Sequence, residues 1–160
     1  MISAPELVRT LTRWLSSIAM AVAPLFLRAA LAVPFFRSGL TRWEGFLQLS
    51  DGTIYLFEEE FKLHIFGAEY SLPMPDAVAY LVATAELTLP VLLVLGLATR
   101  FAALAMLVMT GVIQLVVPDG WANFHLPWAA MAISIIALGA GPISLDRLVA
   151  RRFASEAHRQ

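Results

Sequence analysis

Four long apolar segments constrain this chain more than any other feature of its sequence. About 20 helical residues cross the roughly 30 Å hydrocarbon core of a membrane, and each segment has or approaches that length. Because 59% of the 160 residues are hydrophobic and only 14% are charged, too little polar surface remains for a small soluble domain. We therefore predict an all-α membrane protein, a bundle of four transmembrane helices over residues 16–39, 77–97, 101–117 and 126–141.

The connections between these spans differ greatly in length. Only residues 98–100 separate the second span from the third, so these two helices must form an antiparallel hairpin. Residues 118–123, which are rich in turn formers, join the third span to the fourth. We predict one membrane domain over residues 1–160, with a long outer loop at 40–76 and a tail at 142–160.

The outer loop has a helical pattern of its own. Phe57, Phe61 and Ile65 recur at four-residue intervals, which predicts a short amphipathic helix. Residues 58–60 are three successive glutamates. They could form a cation-binding or partner-binding surface, but a solvated helix face is the commoner meaning of such a run, and we favour it.

The distribution of basic residues predicts the orientation of the bundle. Cytoplasmic loops of membrane proteins are enriched in Lys and Arg. In a four-span arrangement the outer side carries Arg42 and Lys62, and the other side carries many more basic residues, so both termini are predicted to be cytoplasmic. The arginines on that side are Arg9, Arg13, Arg100, Arg147, Arg151, Arg152 and Arg159.

The N-terminal region also permits a second interpretation. Arg9 and Arg13, the apolar residues 14–27 and the small residues 29–32 together have the order of a cleavable signal peptide. The apolar run continues past the supposed cleavage site through residues 33–36. We therefore favour a first span that is not cleaved.

Two ionisable residues fall near the middle of predicted spans, Arg28 in the first and Glu86 in the second. An unpaired charge at that depth costs on the order of 2.5 to 3.5 kcal/mol, so we predict that the two residues pair. The pair could fasten two helices together, or it could form the floor of a cavity for protons, a quinone headgroup or another small polar ligand. If Glu86 is protonated, Arg28 needs another acceptor, such as a carbonyl group that Pro34 or Pro90 leaves free.

Polar residues near the outer ends of the spans extend this candidate site. Arg37, Gln114 and His125 could line a vestibule open to the outer face, with Glu86 at its base. Alternatively, Arg37 extends to the membrane interface, and a single His at a helix end is usually solvated. The candidate ligand-binding residues are therefore Arg28, Arg37, Glu86, Gln114 and His125.

The sequence argues against several kinds of chemistry. It contains no Cys, which removes disulfides, thiolate metal sites and thiol redox chemistry by this chain. Its three His residues lack the spacing of metal ligands, and it has no haem or flavin motif, so no metal site is predicted and a quinone is the one cofactor considered. The net charge of −1 argues against a nucleic-acid partner.

Three motifs resemble those of the DoxX family of bacterial four-helix membrane proteins. Residues 28–42 resemble the family's opening, an Arg in the first span followed by a Phe, a Gly and a basic residue. Residues 85–87, which lead into 95–103, resemble a second motif. Residues 139–146 resemble the family's Gly-Pro and Ser-Leu-Asp close, so that the resemblance extends over about residues 24–148.

This chain departs from the family pattern in two respects. Its outer loop is long and acidic, and Arg42 stands where Lys is usual. From the residues and the motifs together we predict structural roles for Pro34, Gly39, Pro90 and Arg100.

The resemblance implies a protein of the bacterial inner (plasma) membrane, in contact with the lipid bilayer and linked to quinone-coupled oxidation or to oxidative-stress, thiol or metal handling. In the first function class, the protein is an accessory redox subunit that binds a quinone for a partner with the electron carrier. In the second, it is a non-catalytic scaffold or a small transporter. A complete enzyme is not expected from this chain alone. Small residues such as Ala29 and Gly111 also permit helix packing between copies, so a homo-oligomer stays open.

Overall fold

The computed structural model describes residues 4–157. Four helical stretches are long and apolar enough to cross a membrane, and each overlaps one of the predicted segments: Ala4–Thr41, Pro75–Leu95, Thr99–Val116 and Pro118–Leu138. The prediction of a mostly helical, multi-pass membrane protein is therefore confirmed. The last three residues of the predicted tail, which include Arg159, lie outside the described residues.

The first three stretches are regular helices, and we name them α1 (Ala4–Thr41), α3 (Pro75–Leu95) and α4 (Thr99–Val116). The fourth begins with a 3-10 turn at Pro118–Gly120 and a π-helical turn at Trp121–His125, and continues as α5 (Leu126–Leu138). A further helix, α6 (Leu145–Ala157), occupies most of the predicted tail.

Helix α1 packs against α3 and α5, and α4 packs against α3 and α5. The core between the helices contains the fully buried side chains of Leu31, Leu93, Met106 and Ile135. Buried alanines on α1, α4 and α5 lie in the same core, because small side chains let helix backbones approach closely in a membrane. We call the end of the bundle with residues 96–98 and the start of α6 the turn end, and the opposite end the loop end.

The long loop is more regular than the sequence predicted. Strands β1 (Trp43–Gly45) and β2 (Gln48–Leu49) form one antiparallel hairpin, and β3 (Lys62–Ile65) and β4 (Ala68–Ser71) form a second. Neither hairpin was predicted. At the tip of the second, Phe66 and Gly67 both adopt positive φ angles, of 51° and 82°. A two-residue turn with this conformation suits the twist of paired strands.

A helix does lie in the loop, but its predicted position was wrong. Helix α2 (Asp51–Tyr55) begins after Ser50, whose hydroxyl accepts a hydrogen bond from the backbone N–H of Thr53, and it continues as a π-helical turn over Leu56–Glu60. Ile65, which the pattern placed on the helix, lies in β3 because the chain becomes extended at Phe61. The side chains of residues 58–60 are exposed.

The loop packs against the half of α3 nearer the loop end and not above the bundle. Leu49 and Phe57 form a second hydrophobic cluster with Ala79 and Ala83 of α3. Helix α1 consequently ends at Thr41 beside the middle of α3, and the loop residues cover the remainder of that helix. This arrangement brings a loop residue to the depth of Glu86.

Candidate ligand site in a lateral groove

The predicted pair of Arg28 and Glu86 does not form. The Arg28 side chain is 1% exposed and donates four hydrogen bonds to backbone carbonyls at the turn end of the bundle. Its Nε lies 2.7 Å from the oxygen of Leu93, and its Nη2 lies 2.6 Å from that of Val94. Its Nη1 lies 2.6 Å from the oxygen of Ala140 and 2.8 Å from that of Ile143.

The prediction was wrong because it assumed that Arg28 and Glu86 lie at the same depth in the membrane, since each falls near the middle of its own apolar segment. Arg28 lies beside the last turn of α3, so it is at the turn end and not at mid-span. The carbonyls in the last turn of a helix have no intrahelical partner, and they accept readily from a cation. The alternative of a carbonyl acceptor for Arg28 was therefore correct in kind, although Leu93 and Val94 belong to the end of α3, Ala140 and Ile143 belong to the segment between α5 and α6, and no proline frees these carbonyls.

Glu86 pairs instead with Arg42, the first residue after α1. The Nε of Arg42 lies 3.1 Å from Oε2 of Glu86, and its Nη2 lies 3.5 Å from Oε1. The hydroxyl of Ser38 donates to Oε1 over 3.1 Å. The side chains of Arg42 and Glu86 are 15% and 4% exposed, so this is an ion pair largely withdrawn from the surface.

Helix α1 must approach α3 very closely for this contact. A Cβ atom on Gly39 would lie 2.9 Å from the backbone carbon of Glu86 and 2.9 Å from Cδ2 of Leu87. Only glycine therefore fits at this crossing without a shift of one helix. The prediction of a structural role for Gly39 has a physical basis in this close contact.

The loop holds Arg42 in place on two sides. Its guanidinium lies over the rings of Phe57 and Phe61, 5.5 Å and 5.9 Å from their centroids. Aromatic faces attract a cation at such distances. The carbonyl of Arg42 accepts hydrogen bonds from the backbone N–H of Ser50 and the hydroxyl of Thr53. The long loop thus supplies both the cation and the aromatic side chains around it.

The ion pair lines a groove of about 810 Å³ between α1, α3 and α4. The walls are mostly apolar and include Phe35, Leu89 and Met109, and Trp128 of α5 also lines the groove. Leu81, Leu104 and Val108 are 70%, 50% and 61% exposed along one side. The groove therefore opens sideways, towards the lipid that surrounds a membrane protein. The polar side chains that line it are Ser38, Arg42 and Glu86.

Comparison with known proteins supports the resemblance of the first two motifs, while the third, at residues 139–146, lies beyond the matched residues. The family profile described as DoxX matches residues 23–119, which is more than half of the chain. The chain belongs to the DoxX family. It is also 28% identical over 153 residues, covering 84% of this chain and 88% of the relative, to an uncharacterized protein of Haemophilus influenzae. No solved structure matches the chain.

The DoxX motifs meet at the turn end of the bundle. Arg28 from the first motif bonds the carbonyls of Ala140 and Ile143 in the third. Gly96, in the second motif, lies so close to Ser144 that an added Cβ would be 2.6 Å from the Cβ of that residue. The carbonyl of Gly96 also accepts from the backbone N–H of Asp146. These contacts therefore build a structural junction, while Ser38 and Arg42 of the first motif and Glu86 of the second line the groove.

Asp146 completes this junction. Its carboxylate accepts hydrogen bonds from the backbone N–H groups of Ala98 and Thr99, over 2.7 Å and 2.9 Å, at the start of α4. Partial burial by itself raises the pKa of the Asp146 carboxyl, but the hydrogen bonds from Thr99 and Ala98 and the charge of Arg28 outweigh it and lower the pKa below its ordinary value. Asp146 therefore holds α4 as an ionised N-terminal cap.

The other predicted residues do not line the groove. His125 is buried and its Nδ1 lies 2.6 Å from Oε1 of Gln114, so these two form a separate pair near the loop end. Gly120 allows this arrangement, because an added Cβ would be 2.7 Å from Nε2 of His125. Arg37 is exposed, and its side chain makes no hydrogen bond or ion pair with the side chains described for residues 4–152. The predicted vestibule residues therefore do not form one site: Glu86 lines the groove, His125 and Gln114 form a separate pair, and Arg37 is exposed.

Sequence reasoning missed Arg42 as a member of the site. It was counted as an outer-loop charge, since it follows the first apolar segment directly. The signal that could have found it was the opening motif, in which a basic residue follows Gly39 at a fixed distance. Because Gly39 contacts Glu86, the basic residue three positions later is within reach of that carboxylate.

Proposed function

We propose that this DoxX-family protein binds a lipid-soluble ligand with an apolar body and a small polar head, of which a quinone is the simplest class. The observation that carries the proposal is the composition of the groove: an apolar cleft of about 810 Å³ whose polar lining is the Arg42–Glu86 ion pair and the Ser38 hydroxyl. Ligand pockets are typically apolar clefts of a few hundred to 1,000 Å³ with a few converging polar groups.

The polar side chains of the groove suit both redox forms of a quinone headgroup. The guanidinium of Arg42 can donate to a quinone carbonyl oxygen, and the carboxylate of Glu86 can accept from a quinol hydroxyl. Arg42 and Glu86 face one another, so a single headgroup beside them would meet a donor and an acceptor together. The apolar walls would receive an isoprenoid chain that enters sideways from the lipid.

We infer an accessory role for this site and not a complete oxidoreductase. The chain contains no Cys, so an electron carrier for quinone chemistry would have to belong to a bound cofactor or to a partner. A redox, oxidative-stress, thiol-handling or metal-handling membrane system that lends such a partner is consistent with this role.

The test is the binding of a short-chain quinone analogue to the purified protein in nanodiscs. Trp128 lines the groove, so its fluorescence should respond to an occupant. We expect saturable quenching in the wild type, and weaker binding after Glu86→Gln, which neutralises the acceptor, or after Ala105→Phe, which fills the groove.

Two matched controls separate the site from general effects on the membrane protein. Arg37→Gln removes an exposed charge from α1, and Ala130→Phe adds the same bulk to an exposed position of α5. Both should bind as the wild type does. If the wild type does not bind the analogue, or if Ala105→Phe binds as tightly as Ala130→Phe, the groove is not a quinone site.

We further propose that both termini face the cytoplasm of a bacterial inner membrane. Arg100, Arg147 and Arg151 lie at the turn end, whereas Arg42 and Lys62 are the basic residues of the long loop, and this difference is the asymmetry of the positive-inside rule. The absence of Cys makes a direct test simple. A single Cys at exposed Glu59 should react with a membrane-impermeant thiol reagent in intact cells, and one at exposed Ala150 only after lysis. The reverse labelling pattern would show that the termini face away from the cytoplasm and would contradict the proposed orientation.

A further inference from the structure

A second pocket lies at the turn end, away from the groove. It is an open depression of about 400 Å³ bordered by the start of α4, the end of α5 and the start of α6. Arg100 and Arg147 project into it from two different helices. Gly139 leaves room for the Arg100 guanidinium, whose Nη2 would be 3.4 Å from a Cβ at that position.

The two arginines have unused hydrogen-bonding capacity. Among the side chains of residues 4–152, neither guanidinium finds a hydrogen-bond or ion-pair partner, and both arginine side chains are exposed. Ten N–H donors, about five on each guanidinium, are therefore available to a ligand in or above the pocket.

The negative groups of the same pocket are already occupied. Both carboxylate oxygens of Asp146 accept backbone N–H groups of α4. The carbonyls of Ala140 and Ile143 accept from Arg28, on the core side of this segment, and that of Gly141 accepts from the hydroxyl of Ser144. A ligand would thus meet free cationic donors and few free acceptors, which favours an anion.

The neighbouring helix places this pocket at a membrane surface. On α6 the apolar side chains of Leu145, Leu148 and Val149 are exposed, and the helix also carries Arg147 and Arg151. A basic amphipathic helix of this kind typically lies in the interface, with its cations at the level of the lipid headgroups. Basic pockets beside transmembrane helices at that level suit phosphate-bearing headgroups.

We propose that Arg100 and Arg147 bind the phosphate group of a net anionic ligand in this pocket, either a phospholipid headgroup or a free phosphate. Guanidinium groups match phosphate because their planar forks offer two parallel N–H donors to two oxygens. Nothing in this proposal depends on what the groove binds, since the two sites share no lining residue.

The experiment measures two ligands on delipidated protein in a neutral detergent. One arm follows phosphatidylglycerol binding by native mass spectrometry, with zwitterionic phosphatidylcholine as the comparison. The other follows inorganic phosphate by thermal shift at constant ionic strength. The variants are Arg100→Gln and Arg147→Gln, with Arg151→Gln as the matched control, because Arg151 is an exposed arginine of the same helix that does not line the pocket.

We expect preferential binding of phosphatidylglycerol or of inorganic phosphate, and the arm that responds identifies the source of the phosphate. Each of the two pocket variants should weaken that binding about fivefold, as expected for one cation near a lipid surface, and Arg151→Gln should change it less. The proposal is overturned if neither ligand binds, or if Arg151→Gln weakens binding as much as the pocket variants do. Equal melting of the ligand-free proteins would show that the variants fold.

Discussion

Replacing the two partners of the buried ion pair, separately and together, tests the central correction to the site. The charged atoms of Arg42 and Glu86 are 3.1 Å apart at their closest. Two unit charges about 4 Å apart attract by about 4 kcal/mol at an effective dielectric constant of about 20. Polar groups of an unfolded chain in a membrane also find partners. The measured contribution of an interhelical polar contact to stability is therefore only about 0.6 kcal/mol on average and about 1.7 kcal/mol at most. We therefore expect a coupling of about 1 to 2 kcal/mol.

The assay is reversible unfolding in mixed micelles with increasing denaturing detergent. Arg42→Gln, Glu86→Gln and the double variant complete one double-mutant cycle, and Arg28→Gln with Glu86→Gln completes a second. In the second cycle the changes in the free energy of unfolding caused by the two single substitutions should add within about 0.5 kcal/mol, because Arg28 donates hydrogen bonds to backbone carbonyls away from Glu86. Additive effects of Arg42 and Glu86, or a larger coupling between Arg28 and Glu86, would refute the assignment.

Three further substitutions follow from close contacts in the structure. Gly39→Ala should lower the free energy of unfolding by about 1 to 3 kcal/mol and weaken quinone-analogue binding, since the added Cβ would clash with α3. As the control, Gly111→Ala adds a Cβ with nothing within 4 Å, so it should be neutral or stabilising by up to about 1 kcal/mol. Gly120→Ala should displace the ring of His125 and reduce thermal stability, and unchanged melting would contradict that contact. Asp146→Ala should lower the free energy of unfolding by about 1 to 2 kcal/mol, because it removes the N-terminal cap of α4. Because the pKa of Asp146 is lowered in the fold, its contribution should be complete above the ordinary carboxyl pKa of about 3.9 and be lost as pH falls through the lowered value. A wild type and an Asp146→Ala variant with the same acid dependence of melting would argue against this cap.

The loop shows why local patterns were less informative than the spans. The four-residue spacing of Phe57, Phe61 and Ile65 is a helical period, yet the chain turns extended at Phe61 and pairs as a strand. A short segment gives only one or two turns of pattern, and a neighbouring turn such as Phe66–Gly67 can outweigh it. Contacts with Ala79 and Ala83 of α3 then fix where the loop packs.

The sequence by itself determined that this chain spans a membrane with four helices, because the free energy of transferring some 20 apolar residues into lipid depends on composition and length alone. It also identified Arg28 and Glu86 as residues that need partners, since an ionised group in hydrocarbon is costly wherever it lies. Which partners they have was decided only by the tertiary structure. The depth of Arg28 depends on how far α1 slides along α3, and that register is set by Gly39 at the helix crossing. The same register leaves α1 short of the loop end, so that a loop residue, Arg42, completes the ion pair with Glu86.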